Sequence, residues 1–148
     1  MLQENLSLLF ERDIRRLQTE INAYRDENTI WKISGSISNS GGNLSLHLLG
    51  NLQHYIGAIL GKTSYKRNRP EEFTLKNVSL SEINASIEHT IEVVKHTILS
   101  ITEESLENPY PEKVFDYPMT TEYFLLHLLA HLNYHLGQIN YHRRIMDS

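Results

Sequence analysis

Four separate stretches of this chain repeat apolar residues at steps of three and four, the period that gives an α-helix one core-facing stripe, and no stretch reads convincingly as a strand. In the first, Leu6, Phe10, Ile14, Leu17, Ile21 and Tyr24 stand between charged residues, which predicts a helix over about residues 2–26. Residues 27–43, rich in Gly, Ser and Asn, break the pattern and read as a loop. A second helix is expected from about Asn43 to Leu60, with Leu48, Leu52, Tyr55, Ile56 and Ile59 on one face and Gly61 as its stop. Residues 62–78 show no clear period and read as a long connection, either an ordered crossover along the bundle or a mobile surface loop.

Ser79 and Glu82 have the spacing of a capping box, in which each side chain satisfies a backbone N–H of the first helical turn. They open a third helix carrying Ile83, Ile87, Ile91, Val94, Ile98 and Ile101. Pro109, Pro111 and Pro118 exclude a helix through residues 105–118, because proline lacks the N–H and clashes with the preceding turn. A fourth helix follows from near Thr120 to about Met146. Its stripe is Leu125, Leu128, Leu132, Leu136 and Ile139, and Arg143 and Arg144 lie in a last turn that favours cations. The prediction is an all-α four-helix bundle, with residues 1–148 as one domain. The long connection between helices two and three permits a crossover between parallel neighbours.

A chain of 148 residues can bury a hydrophobic core without staples. It has no cysteine, which removes disulfides, thiolate zinc sites and cysteine nucleophiles, and suits a reducing cytoplasmic location. The net charge of −4 gives no general attraction to phosphate backbones or anionic lipid, so neither nucleic acid nor membrane is an expected partner. The first residues mix charges with apolar side chains, unlike a signal peptide or a spanning helix.

The unusual feature of the composition is its eight histidines. His127, His131 and His135 stand four apart on the fourth helix, on the flank of its leucine stripe, so that successive rings stack about 6 Å apart along the axis. His47 and His54 border the apolar stripe of the second helix and are the candidates to complete a metal site, since neutral imidazole suits zinc, nickel, copper and iron(II). Spacing alone does not choose among these five. His89 and His96 fall opposite the isoleucine stripe of the third helix and read as solvated, and His142 stands about 10 Å beyond His135 along the helix, too far to share its ion.

The segments HLLGNLQHYIGA at 47–58 and HLLAHLNYHLGQINYHRR at 127–144 together resemble the DinB-like superfamily, of the YfiT type, over essentially the whole chain. The resemblance implies a metal triad at His47, His131 and His135, with His54 and His127 as neighbours of the site. It implies a bundle wound up-down-down-up, a zinc or nickel ion with water completing its shell, and a homodimer. Some members of the family transfer a low-molecular-weight thiol to an electrophilic small-molecule substrate, and many have no assigned activity.

Three protein nitrogens leave coordination positions open, as in catalytic sites, where an ion activates a thiol or water. The candidate activity is therefore a metal-dependent thiol transferase or hydrolase. Asn51 and Gln138 are candidates to orient the ligand rings, and Trp31 and Tyr55 to line a pocket. No carboxylate is placed by the sequence as a general base. One alternative is a non-catalytic metal-binding module with a structural or stress-response role. Another treats Lys62, Lys66, Arg67 and Arg69 as a docking patch, although Glu71 and Glu72 dilute it and favour a solvated loop.

Overall fold

The computed structural model covers residues 1–148 and contains helices and loops without a strand. Four long helices form the frame: α1 (Leu2–Asn22), α2 (Gly41–Leu52) with its π-helical continuation Gln53–Leu60, α4 (Leu80–Ser100) and α6 (Thr121–Met146). Two short ones, α3 (Arg69–Thr74) and α5 (Glu103–Glu107), lie in the connections, and a 3₁₀ turn spans Glu27–Trp31. The predicted stripes form one core: Phe10, Ile14, Leu48, Ile56, Ile87, Leu125 and Leu132 are all fully buried within it.

The helix starts follow the sequence. Ser79 accepts from the Glu82 N–H, completing the expected capping box of α4, and Thr120 accepts from the Tyr123 N–H at the start of α6. The second helix begins two residues before the expected Asn43, because Ser40 caps it by accepting from the Asn43 N–H. Gly42 is needed inside that first turn: the ring of Trp31 lies against its bare α-carbon, where a Cβ would collide with it.

Polar ladders record how the helices meet. Glu11 pairs with Lys95 and Gln18 with Asn84, so α1 and α4 run in opposite directions. Asp13 meets Asn133 and Glu20 meets Asn140, which sets α1 and α6 side by side in the same direction. Gln53 donates to Thr90 between the second helix and α4.

The connection 62–78 contains a helix the apolar period does not reveal. Asn68 caps α3 and Pro70 sits at its first turn, a position where the missing N–H costs nothing. Asn43 ties this segment to α2 by donating to the carbonyls of Glu72 and Leu75. A second tie closes the proline-rich connection: the Tyr110 N–H donates to Met119, the Thr121 N–H to Asn108, and the Tyr110 hydroxyl to the carbonyl of Tyr55. That connection also supplies Val114 and Phe115 to the lining of a cavity shared with residues of the second helix and α6.

Candidate metal centre

The inward faces of α2 and α6 bring His47, His131 and His135 together. Nε2 of His131 lies 3.2 Å from Nε2 of His47 and 3.2 Å from Nε2 of His135, and one ring nitrogen from each of the three residues lies within 4.8 Å of the other two. A tetrahedral ion with metal–nitrogen bonds of about 2.0–2.1 Å separates its ligand nitrogens by about 3.3–3.4 Å, close to both of these edges.

The outer ring nitrogens decide what the inner ones offer. His47 Nδ1 lies 3.0 Å from Glu72 Oε1, a carboxylate that can only accept, so Nδ1 carries the proton and Nε2 presents a lone pair. This nearer, charged acceptor sets the tautomer in preference to Arg67 Nη2 at 3.4 Å. His135 Nδ1 lies 2.7 Å from Gln138 Oε1, and the same reasoning turns its Nε2 lone pair inward. His131 Nε2 therefore faces two lone pairs. A proton on it can satisfy only one of them, whereas a single cation satisfies all three, so the donor set fits one metal ion.

Electrostatics keep the rings in the form a metal needs. Burial, helped by His135, His47, His127 and Arg67, pushes His131 down to about 3. Burial also lowers His135, against the opposing hydrogen bond to Gln138. His131 is thus neutral at physiological pH, and a neutral imidazole is the ligating form.

Glu72 and Arg67 are the residues the sequence did not disclose as part of the site. Glu72 is 6 % exposed, and its carboxylate lies against the bare α-carbon of Gly50, one turn after His47. Arg67 grips it with two bonds, Nε to Oε2 at 2.8 Å and Nη2 to Oε1 at 2.9 Å. Burial by itself would raise the Glu72 carboxyl, but the hydrogen bonds from His47 and Arg67 carry it below the ordinary value. Arg67 is accordingly not a solvated member of a basic loop cluster. The only available signal was Gly50, a glycine inside a helix opposite a segment carrying acids.

The other candidates fall in different places. His54 lies seven residues from His47, about 10 Å along the axis, and reaches Glu112 at 3.2 Å. His127 stacks on Phe124 and meets Phe115 edge-on. His89 and His96 are exposed, as expected. His142 is buried away from the cluster, between the Tyr24 hydroxyl and the Lys32 carbonyl, each at 2.7 Å. Asn51 is buried beside the cavity and Tyr55 lines it, whereas Trp31 packs on Gly42 and takes no part.

An all-helical fold with three convergent imidazoles between two of its long helices defines a bundle protein whose histidine group can hold a metal ion. Residues 9–139 match the DinB superfamily, and the chain belongs to that superfamily. No curated protein matches the chain. No helix is long and apolar enough to cross a membrane.

Proposed function

We propose that His47, His131 and His135 hold one divalent ion, zinc or nickel, and that the protein uses it to activate a small thiol or water in a transfer or hydrolysis reaction. The observation that carries this reading is the inward convergence of three Nε2 atoms, two of them turned inward by bonds at the opposite ring nitrogen. An ion held by three neutral rings keeps coordination positions open and lowers the pKa of a thiol or water that joins it.

The chain's own residues supply orientation. Glu72 holds His47, and Gln138 holds His135. Asn51 Oδ1 and His131 Nδ1 are the two buried side-chain polar atoms without a hydrogen-bond partner, one an acceptor and the other a donor once Nε2 faces the ion. Both residues line the same cavity, where a single water between them would accept from His131 and donate to Asn51, adding a support for the third ring.

A second reading, a metal-binding module without catalysis, is favoured by one observation. The carboxylate nearest the triad, Glu72, is committed to His47 and Arg67, and no acidic side chain lines the cavity to serve as a general base.

Metal analysis of untagged protein, paired with thiol consumption in the presence of an electrophile, tests both. Wild type is expected to carry one ion per chain and His131→Ala none, with turnover lost alongside the metal. Turnover retained in metal-free His131→Ala rejects the catalytic reading. Metal binding that raises the melting temperature with no turnover supports the second.

A further inference from the structure

We propose that the cavity beside the three histidines is a binding site for a small organic carboxylate, with Arg69 as the residue that recognises its charge. This deepens the reading above by naming a ligand class, but it rests on residues that stand there whether or not an ion is bound.

The cavity has a volume of about 230 Å³, and its lining includes His47, His131, Arg67 and Arg69. Its lining includes two arginines and no acidic residue, in a chain whose net charge is −4. A cationic side chain without an acidic neighbour in the lining of a recess favours anions from solution.

The two arginines differ in what they have left to give. Arg67 is held in a two-bond pair by Glu72 and lies 5.7 Å over the Tyr55 ring, so its charge is largely spent inside the protein. Arg69 takes part in none of the ion pairs of the structure. Its guanidinium sits 5.3 Å over the Phe73 ring, four residues on in α3, and that ring in turn packs 4.9 Å from the ring of His47. An aromatic face fixes the guanidinium without neutralising it, and a planar guanidinium matches a carboxylate with two parallel hydrogen bonds. Most of the remaining lining is apolar, with Tyr55, Phe115 and Phe124 joined by Val114 and Leu128, which suits a ligand with an apolar body.

Phenylacetate and its neutral counterpart phenylacetamide separate charge recognition from apolar contact, and inorganic phosphate supplies charge without an apolar body. Each is titrated into metal-free protein prepared by chelation, following the Arg69 Nε–H and Phe115 ring signals by NMR. Phenylacetate is expected to shift both signals and to bind about tenfold more tightly than phenylacetamide, the scale of a charge-assisted bidentate contact. That preference should vanish in Arg69→Gln and return in part in Arg69→Lys, with the rest of each spectrum overlaying wild type. Absence of a saturable shift at the cavity, equal binding of the two probes, phosphate binding as tightly as phenylacetate, or a preference that survives in Arg69→Gln overturns the proposal. Zinc uptake by wild type and His47→Ala, measured on the same preparations, tests the metal reading separately, so that either can fail without the other.

Discussion

Glu72 accepts the Nδ1–H of His47 across 3.0 Å, joining a crossover segment to the second helix at the one histidine of the cluster that α6 does not supply. A carboxylate behind a ligating imidazole fixes the ring and raises its basicity, and loss of such partners costs about 10–100-fold in metal affinity. Glu72→Gln should therefore weaken zinc binding within that range in a competition titration while leaving the helical content unchanged. Gly50→Ala should weaken it as well, because the new methyl occupies the position of the Glu72 carboxylate. Wild-type affinity in both variants would show that the carboxylate is a packing feature only.

The ladder of three histidines on α6 separates into two roles. His131 and His135 meet His47, while His127 stacks on Phe124 and meets Phe115 edge-on. His131→Ala and His135→Ala should each abolish stoichiometric metal in elemental analysis, and His127→Gln and His54→Gln should retain it. Metal lost from His127→Gln and kept in His135→Ala would shift the centre one turn toward Phe124.

The four long helices were legible because each buries a stripe at the helical period, and the capping pair Ser79 and Glu82 marked a boundary to the residue. The histidines that meet across α2 and α6 were legible as a set of five, since spacing places rings on a face without telling what opposes them; the resemblance narrowed the set to three. What stayed hidden lay in the connections. Glu72 is buried by Gly50 and Arg67, neither of which makes a periodic pattern, and α3 is too short for one. The same holds for His142, whose partners Tyr24 and Lys32 lie more than a hundred residues away along the chain.

His142 gives a prediction in which the metal plays no part. Its Nε2 lies 2.7 Å from the Lys32 carbonyl and so carries the proton, leaving Nδ1 to accept from the Tyr24 hydroxyl at 2.7 Å. Tyr24→Phe leaves that buried acceptor without a donor, at a cost of about 1–3 kcal/mol. Urea denaturation should show this as a lower midpoint with unchanged slope, and metal content should remain that of wild type. A midpoint equal to wild type would mean that another donor, or water, replaces the hydroxyl.

Asp13 is one of the carboxyls whose protonation should weaken the fold in acid. Its carboxylate is fully buried on α1 and accepts from Asn133 at 2.7 Å, from Arg12 at 2.8 Å and from Arg16 at 3.2 Å. Burial opposes its ionisation, yet the bonds from Arg12 and Asn133 and the charges of Arg12 and Arg16 outweigh this and hold the carboxyl below its ordinary value. A carboxyl with a lower pKa in the folded state than in the unfolded chain contributes stability at pH values above the unfolded pKa of about 3.9, and loses it as pH falls through the folded value. Wild type should accordingly weaken below about pH 4, where the unfolded chain begins to bind the proton first. Asp13→Asn should be about 1–3 kcal/mol less stable at neutral pH, since Arg12, Arg16 and Asn133 lose a charged acceptor. It should also lose less stability than wild type on acidification, so that the two urea midpoints converge as pH approaches 3. Parallel curves with a constant offset would assign the acid transition to other carboxylates and leave Asp13 a role in packing alone.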